Sequence, residues 1–300
     1  MISVLIANYN GKALLQDCLT QLKRHESEWH EVIVVDNGSS DGSPEMVVRE
    51  FPWCRLLRLP ENVGFGTANN RAAEIAEGES LLLLNSDAWL GEGALARLRD
   101  ALAQEPRAAI AAPQLYYPDG RLQFTWAPTI GVTGEAVQLV RNRFESAVWN
   151  YRLLPPLLRR MHGPGWYTAA CLMIRRKAYI EAGGFDERIF MYFEDVDLCY
   201  RLTRAGWLLR SVPDASVFHI KGGSATENSE VAYREAQLYY YRKHRAAWEN
   251  AVLRRRLLGK FRRIEKAELR RRLMALLEEP SALPRGAKPH GAKPRRAGTS

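Results

Sequence analysis

The sequence predicts an α/β protein with a doubly wound, mostly parallel sheet and a basic helical extension at its C-terminal end. Short apolar runs alternate with amphipathic stretches through the first 115 residues, which indicates alternating strands and helices. The connections are short, and such alternation is typical of parallel strands joined by helices. Polar or glycine-rich residues follow the apolar runs directly. In this fold class, those positions lie at the carboxyl edge of the sheet, where ligands bind.

The elements of the first 115 residues alternate in a regular order. The apolar runs predicted as strands are Ile2–Ala7, Val32–Val35, Cys54–Leu59, Leu81–Leu84 and Ala108–Ala112. The amphipathic stretches predicted as helices are Lys12–Arg24, Glu45–Phe51, Thr67–Ala76 and Gly93–Ala103. In the first of these helices, apolar residues recur at 14, 15, 18, 19 and 22, which places them on one face.

The pattern is less regular after residue 115. A turn is predicted at Tyr117–Arg121 from its Pro, Asp and Gly. The mixed stretch Val137–Met161 has three interpretations: an insertion packed on the body, a flap over an acceptor, or a membrane-facing pair of helices. Further strands are predicted at Gly165–Ile174, Trp207–Val212 and Ala215–Ile220. Further helices are predicted at Arg176–Ala182, from Asp195 onward, at Ser229–Asn250 and at Arg254–Leu277.

The net charge of +9 is concentrated at one end of the chain. Residues 251–300 hold fifteen Lys or Arg and four Glu, whereas the other 250 residues carry a net charge of −2. A basic segment can attract nucleic acid or an anionic membrane. Nucleic acid is disfavoured as a partner, because the candidate site residues lie in the near-neutral body and the last twenty residues contain no aromatic side chain for base stacking.

The composition excludes several classes of protein. The apolar fraction of 46% and the charged fraction of 26% are those of a globular chain. No window approaches the roughly 20 apolar residues of a spanning helix. The first residues have no features of a signal peptide. The four cysteines form no C-x-x-C pair, which favours reduced thiols in a cytoplasmic protein.

Carboxylates in three places are candidates for chemistry. Asp36 and Asp87 follow fully apolar runs, where a carboxylate can contact a ribose or hold a hard cation. Glu194 and Asp195 begin a predicted helix, whose dipole keeps a carboxylate ionised and able to act as a general base. The alternative for these residues is an acidic N-cap without a catalytic role. His219 becomes a candidate only if folding brings it close to Asp87.

Two common nucleotide-binding motifs are absent from the sequence. The segment around Gly64 and Gly66 is not a G-x-G-x-x-G fingerprint, since the third glycine position holds Asn69. No Walker A pattern occurs. These features disfavour a dehydrogenase or a P-loop nucleotidase.

Five segments occur in an order and at spacings that are familiar from one enzyme family. They are SVLIANYNG, VIVVDNGSSDGS, ENVGFGTANNRA, LLLLNSDA and AACLMIRRKAYIEAGGFDERIFMYFEDVDLCYRLTRAGW. With these motifs the sequence resembles the family 2 glycosyltransferases, inverting enzymes with a nucleotide-sugar-binding α/β fold of the glycosyltransferase A type. The most similar subgroup is the bacterial rhamnosyltransferase-like branch. The resemblance covers residues 1–245.

The resemblance implies roles for individual residues. Contacts with the nucleotide sugar are implied for Ala7, Asn8, Asp36, Asn62, Gly64, Asn70, Asn85, Ser86 and Asp87. Asp195, in its pair with Glu194, is implied as the catalytic base. Asp87 and His219 are implied as ligands of a divalent metal, Mg²⁺ or Mn²⁺, with the imidazole favouring Mn²⁺. Asn85 stands where many relatives have Asp, so this sequence departs there from the usual metal motif.

The implied activity is transfer of a sugar from a nucleotide-sugar donor by a single displacement with inversion. The metal would act as a Lewis acid on the departing diphosphate. The implied donor is dTDP-rhamnose, with a UDP-hexose or a UDP-N-acetylhexosamine as the alternative. The implied acceptor is a hydroxyl of a bacterial cell-surface glycan or of a lipid-linked acceptor. An alternative of another class is a catalytically inactive protein that binds sugar nucleotides.

The predicted organisation has three parts. Residues 1–245 form a catalytic domain, with a nucleotide-sugar-binding half at 1–115 and an acceptor half at 116–245. Residues 246–280 form a basic amphipathic extension, and residues 281–300 form a disordered tail. The Leu and Phe side chains of the extension could lie on anionic lipid through the basic region 251–300, or pack on the body. The expected location is the cytoplasm, with peripheral attachment to the inner face of the cell membrane.

Overall fold

The computed structural model describes residues 1–131, 134, 165–220 and 227–278. Its strands are β1 (Ile2–Asn8), β2 (Glu31–Asn37), β3 (Arg55–Leu59), β4 (Ser80–Leu84), β5 (Ala88–Leu90), β6 (Ala108–Tyr116), β7 (Leu122–Gln123), β8 (Trp126–Pro128), β9 (Gly165–Tyr167), β10 (Cys171–Arg175) and β11 (Leu208–His219). Its helices are α1 (Lys12–Leu22), α2 (Ser43–Glu50), α3 (Phe65–Ile75), α4 (Ala94–Gln104), α5 (Arg176–Glu181), α6 (Glu194–Arg204), α7 (Glu227–His244), α8 (Ala247–Phe261) and α9 (Ala267–Ala275).

The main sheet has the order β3-β2-β1-β4-β10-β6-β11-β5, with β7 paired to β6. Strands β3, β2, β1 and β4 are parallel to one another, and β6 is parallel to β11. Strand β10 is antiparallel to both β4 and β6 and joins these two parallel groups. The predicted α/β fold with a mostly parallel sheet is therefore confirmed, with one reversed strand at its centre.

Alternation of side chains along the central strands builds a core on each face of the sheet. In β1, Val4 and Ile6 pack with α1, α2 and α4, whereas Leu5 packs on the other face with α3, α5 and α6. Successive residues of a strand point to opposite faces, so a strand buried on both faces is continuously apolar. This explains why the runs in β1, β2 and β4 contain almost no polar residue.

A third cluster of buried side chains, which we call the C-terminal core, joins the last helices to the rest of the molecule. Leu253, Leu257 and Phe261 of α8 pack there with Phe193 and Val196, at the start of α6. The apolar stripe of the extension therefore packs on the body and is not available to lipid. This core fixes the start of α6 from the C-terminal side.

Several element boundaries differ from the sequence prediction. The expected strands Trp207–Val212 and Ala215–Ile220 form one strand, β11, with a register irregularity between Val212 and Ser216. The single helix expected at Ser229–Asn250 is broken, because Ala246 is extended (φ −62°, ψ 151°) and separates α7 from α8. The break coincides with a contact distant in sequence, in which Arg245 donates to the Ile130 carbonyl. The single strand expected at Gly165–Ile174 is split into β9 and β10.

Other predictions have different outcomes. The turn at Tyr117–Arg121 is confirmed and closes the β6–β7 hairpin, with Tyr117 N donating to Arg121 O at 2.7 Å. The stretch Val137–Met161 and the tail 281–300 lie outside the described residues. The division of the chain at residues 115, 245 and 280 stays a prediction. Among the helices of the described ranges, none is both long and apolar enough to cross a bilayer.

Candidate active site

The predicted site residues Asn8, Asp36 and Asn85 lie at the carboxyl edge of the sheet, where β1, β2 and β4 end. In the parallel ladder, Asn8 at the end of β1 is in register with Asp36 near the end of β2. Asn85 follows β4, and its backbone N–H donates to the carbonyl of Ala170, just before β10, at 2.9 Å. Because β10 runs antiparallel to β4, its first residues meet the last residues of β4. The loop before β10 is thereby added to this edge.

At the ends of β1 and β2, two buried oxygen atoms have no hydrogen-bond partner among the described residues: Oδ1 of Asn8 and Oδ1 of Asp36. The second polar atom of each side chain forms a hydrogen bond with Ser39. Asp36 Oδ2 accepts from Ser39 N at 3.3 Å, and Asn8 Nδ2 donates to Ser39 Oγ at 3.4 Å. A Cβ built on Gly11 would lie 2.7 Å from Asn8 Oδ1 and 3.7 Å from Ser86 Oγ, so these side chains lie close together. Buried acceptors normally accept a hydrogen bond. These two Oδ1 atoms are therefore available to donor groups of a ligand.

The loop Glu61–Gly64 is held by the end of β2. Asn37 Nδ2 donates to Asn62 Oδ1 at 2.9 Å, and Val63 N donates to Asn37 Oδ1 at 2.9 Å. Gly64 has φ +88°, and a Cβ there would lie 2.3 Å from the Phe190 carbonyl oxygen. That carbonyl accepts a hydrogen bond from Phe65 N at 3.1 Å. Gly64 therefore allows the loop to touch the segment that precedes α6.

We expect Gly64→Ala to destabilise the protein more than Gly120→Ala. Both glycines have positive φ, +88° and +81°, but a Cβ on Gly120 meets nothing within 4 Å. The left-handed conformation alone costs about 1–2 kcal/mol for alanine, and the clash at Gly64 adds roughly 1–3 kcal/mol. Urea unfolding of both variants measures the difference in free energy of unfolding. Equal losses would contradict the assigned contact with Phe190.

His219 and Asp87 are brought together, as required for His219 to be a site residue. His219 Nε2 lies 3.2 Å from Asp87 Oδ1 and 3.4 Å from Asn85 Nδ2. On the other side of the ring, His219 Nδ1 lies 3.1 Å from Gln123 Oε1. Gln123 Nε2 also donates to the His219 carbonyl at 2.5 Å. Since Gln123 Oε1 can only accept, Nδ1 carries the proton, and in the neutral ring the Nε2 lone pair faces Asp87.

This donor set fits a divalent cation. A lone pair of a neutral imidazole and a carboxylate oxygen repel each other unless a proton or a cation lies between them. Asn85 adds a buried Oδ1 without a hydrogen-bond partner among the described residues. Oxygen atoms with one imidazole suit Mg²⁺ or Mn²⁺. Within the described ranges, no group of three His, Cys, Asp or Glu side chains could hold a metal. The candidate site offers two such side chains, Asp87 and His219, beside the amide of Asn85.

Asp195 lies in the first turn of α6, on the other side of the Ala169–Ala170 loop. Its Oδ2 accepts from Ala169 N at 3.2 Å, and its Oδ1 accepts from Val196 N at 2.8 Å. Burial raises the pKa of Asp195 to about 6, although these hydrogen bonds oppose the rise. Burial and the charge of Asp195 raise the pKa of Glu194 well above its usual value. With a pKa of about 6, Asp195 is mostly ionised at neutral pH.

The backbone before α6 is strained. Tyr192 and Phe193 have φ values of +66° and +64°, which are uncommon for residues other than glycine and cost about 1–2 kcal/mol each. Phe193 is buried, and its ring centroid lies 5.2 Å from that of Tyr233 on α7. The C-terminal core thus holds this strained turn, which presents Asp195. Such strain is often concentrated at functional sites.

A cavity of about 350 Å³ opens beside Asp195. Asn85 forms part of its wall, and its aromatic lining residues are Phe65, Trp166, Tyr192, Phe193 and Tyr233. The indole N–H of Trp166 is buried without a hydrogen-bond partner among the described residues. An apolar cavity of this size with a few polar groups is typical of a small-molecule site. We call it the aromatic pocket.

The structure separates Asn70 from the other candidates. Its Oδ1 accepts from Tyr179 Oη at 2.5 Å and from Phe185 N at 2.9 Å. Its Nδ2 donates to Phe185 O at 3.0 Å and to Glu187 at 3.2 Å. The whole amide is thus used to fix the loop before α6, and none of its hydrogen-bonding capacity remains for a ligand.

Sequence reasoning did not single out several residues of this site. Ser39 bridges Asn8 and Asp36, and Gln123 orients His219 from 96 positions away. Trp166, Tyr192 and Tyr233 come from three different segments of the chain. Ser39 lies in the conspicuous DNGSSDGS turn and could have been found there. The others have no local signal, because only the folded chain brings them to the site.

Comparisons of sequence and of structure with known proteins both identify glycosyltransferases. A family model described as glycosyl transferase family 2 matches residues 3–183. The chain is 34% identical over 279 residues to an N-acetylglucosaminyl-diphospho-decaprenol L-rhamnosyltransferase of Mycobacterium tuberculosis, which covers 86% of this chain and 90% of the relative. The match therefore spans nearly the whole length of that relative.

Solved structures with the same fold are more distant in sequence. The mannosyltransferase PcManGT from Pyrobaculum calidifontis, in complex with GDP-Man and Mn²⁺, gives a TM-score of 0.56 at 16% identity, over 92% of this chain and 73% of that one. S. aureus TarS 1–349 in complex with UDP-GlcNAc gives a TM-score of 0.57 at 16% identity, over 92% of this chain and 79% of that one. At these identities, the likeness concerns the fold, which is that of glycosyltransferases of the A type.

Proposed function

The chain belongs to glycosyl transferase family 2 and is a glycosyltransferase, and from this premise we propose its reaction. We propose that it transfers rhamnose from dTDP-rhamnose, with inversion, to a hydroxyl of a lipid-linked acceptor in bacterial cell-surface glycan synthesis. One observation carries the proposal: the Asp195 carboxylate lines the aromatic pocket, and Asn85, next to Asp87 and His219, forms another wall. A base and a donor-binding edge are thus in reach of one cavity.

In the proposed reaction, Asp195 accepts the proton of the attacking hydroxyl. The acceptor oxygen forms a bond to the anomeric carbon while the bond from that carbon to the diphosphate breaks. The electron pair leaves with the diphosphate, and attack from the opposite face inverts the centre. An ionised base with a pKa of about 6 suits this role near neutral pH. Burial and the charge of Asp195 raise the pKa of Glu194 beside it and so disfavour a second charge in the pair.

The donor would lie along the carboxyl edge of the sheet. Asp36 and Asn8, whose Oδ1 atoms have no partner within the part of the chain that the structure describes, would accept hydrogen bonds from the base and ribose. Ala7, Ser86 and the Asn62–Gly64 loop would border the nucleotide. Asp87, His219 and the Asn85 amide would hold Mg²⁺ or Mn²⁺, which as a Lewis acid would offset charge on the diphosphate. The fold-level neighbour bound to Mn²⁺ supports a divalent cation without fixing which one.

The acceptor would enter the aromatic pocket. Rings such as Trp166, Tyr192 and Tyr233 offer flat apolar faces to a sugar, and the Trp166 N–H offers a hydrogen-bond donor. The name of the M. tuberculosis relative supports an acceptor on a polyprenyl diphosphate. We extend this to peripheral attachment at the cytoplasmic face of the membrane through the basic region 251–300.

Asn85 favours a second candidate, a protein that binds sugar nucleotides without transferring sugar. An amide in place of a carboxylate weakens a site for a hard cation. UDP-hexoses and UDP-N-acetylhexosamines remain the alternative donors if the protein is active. A donor panel distinguishes these candidates.

The test is release of nucleoside diphosphate from dTDP-rhamnose and from a panel of UDP- and GDP-sugars, with Mn²⁺, Mg²⁺ or EDTA. We expect metal-dependent release from dTDP-rhamnose that is lost in Asp87→Ala. Transfer is then followed with a polyprenyl-diphosphate-linked sugar as acceptor. Release from a UDP-sugar instead would replace the proposed donor, and donor binding with no turnover in the presence of acceptor would favour the inactive candidate.

We expect Gln123→Met to weaken metal binding while Gln123→Glu retains it better. Methionine removes the acceptor for His219 Nδ1, and loss of such a partner typically costs about 10–100-fold in metal affinity. Glutamate keeps an acceptor at that position. Mn²⁺ titration followed by calorimetry measures both variants. If the Gln123→Met variant binds Mn²⁺ as tightly as the unmodified protein does, Gln123 does not orient the imidazole.

A further inference from the structure

Helix α8 has two faces of different character. Its inner face packs Leu253, Leu257 and Phe261 into the C-terminal core. Its opposite face exposes Trp248 and Val252, which are 63% and 45% accessible. Arg255 lies about one turn further along that face, and the exposed Arg262 and Arg263 follow the end of the helix. We call these five residues the outer face of α8.

We propose that the outer face of α8 is the docking surface for an anionic lipid bilayer. Tryptophan at a membrane interface places its apolar ring among lipid headgroups, and nearby arginines bind their phosphates. Residues 247–263 contain six Lys or Arg and one Glu. That residue, Glu249, lies against Gly131 and not with the exposed arginines. An exposed indole beside the exposed arginines 255, 262 and 263 matches a surface that is both apolar and negatively charged.

The position of α8 relates this surface to the aromatic pocket. Arg245, two residues before α8, donates to the carbonyl of Ile130. Ile130 in turn lines the aromatic pocket and packs in the C-terminal core. A bilayer bound at α8 would therefore present an acceptor lipid near the pocket. The presentation of an acceptor lipid rests on the proposed function. Binding of the bilayer itself depends only on the outer face of α8.

The test is partitioning of the full chain onto vesicles. Vesicles of phosphatidylcholine are compared with vesicles that also contain phosphatidylglycerol, by co-sedimentation. We expect binding only to the anionic vesicles, weakened by salt because surface charge is screened. The variant with Arg255, Arg262 and Arg263 changed to Gln should lose on the order of a hundredfold in partitioning. Trp248→Ser should lose several-fold. Brominated lipid should quench the protein's fluorescence less in Trp248→Phe than in the unmodified chain.

The matched control changes three exposed arginines elsewhere, Arg49, Arg97 and Arg99, to Gln. It removes the same charge and should lose much less binding. The inference is overturned if the chain does not bind anionic vesicles or if both triple variants lose binding equally. It is also overturned if the outer face instead holds a second copy, seen as a dimer that Trp248→Ser dissociates. Donor hydrolysis without vesicles is measured in parallel, so failure of the proposed function is recognised separately.

Discussion

Asp195→Asn is expected to lower the turnover number of sugar transfer by roughly 10²–10⁴-fold, the usual contribution of a general base. Ala169 N and Val196 N donate to different oxygens of Asp195, so asparagine, which has a single acceptor oxygen, can keep one of these two contacts at nearly the same side-chain size. It cannot take a proton from the acceptor. Steady-state kinetics with donor and acceptor measure the loss, while calorimetry with donor alone should give nearly unchanged affinity. A variant that retains a tenth or more of the transfer rate would exclude Asp195 as the base.

The same residue predicts the pH dependence of the unmodified enzyme. Burial raises the pKa of Asp195 to about 6, so the basic form predominates above that pH and is lost as the pH falls through it. The turnover number should therefore fall on the acid side with a midpoint near 6. Donor binding measured at each pH serves as the control. A midpoint near 4, the ordinary value for an aspartate, would contradict the assigned environment.

The second large effect concerns stability and involves Asp197, two residues further along α6. This carboxylate is completely buried. Its oxygens form hydrogen bonds with Arg201 Nε at 2.6 Å, Lys243 Nζ at 2.5 Å and His244 Nε2 at 2.6 Å. Asp197→Ala leaves the charges of Arg201 and Lys243, and the His244 ring, facing an empty position. Removing one partner of a buried ion pair costs about 3–5 kcal/mol, so the melting temperature should fall by roughly 10 °C.

An exposed aspartate provides the matched comparison. Asp100 on α4 pairs with Arg99 at 3.0 Å in solvent, and Asp100→Ala should change stability by less than about 1 kcal/mol. Acid adds an independent measurement. Burial alone would raise the pKa of Asp197, but the His244 hydrogen bond and the charges of Arg201 and Lys243 hold it at about 2. Its contribution to stability is therefore complete above about pH 4 and is lost as the pH falls toward 2. Similar losses in both alanine variants would refute this account.

The carboxyl edge was predictable from sequence because parallel strands align their ends. Asn8, Asp36 and Asn85 directly follow or end apolar runs, so their approach follows from the fold class alone. The closeness of His219 to Asp87 did not follow from fold class; it was expected from family resemblance, and the structure brings the two side chains together at 3.2 Å. The roles assigned to these residues stay predictions.

Other features could not be read from local sequence. The orientation of β10 and its place between β4 and β6 depend on which edges are free, and an apolar run encodes neither. Similarly, the leucines of α8 fit a lipid-facing stripe as well as a packed one. Only the presence of Phe193 and Val196 opposite them decides between the two. Trp248, by contrast, is identified as exposed only after the packed face is known.

The reversed strand has a consequence for how the protein is made on the ribosome. Strand β4 ends at Leu84, but its second neighbour, β10, begins at Cys171, so its apolar edge stays open while more than eighty further residues are synthesised. Strand β6 likewise pairs with β10 and β11, which are both synthesised later. Open strand edges invite pairing with other chains, and such distant pairing slows folding. The nascent chain should therefore depend on chaperones until residue 219 has emerged, and fragments ending near residue 115 should aggregate.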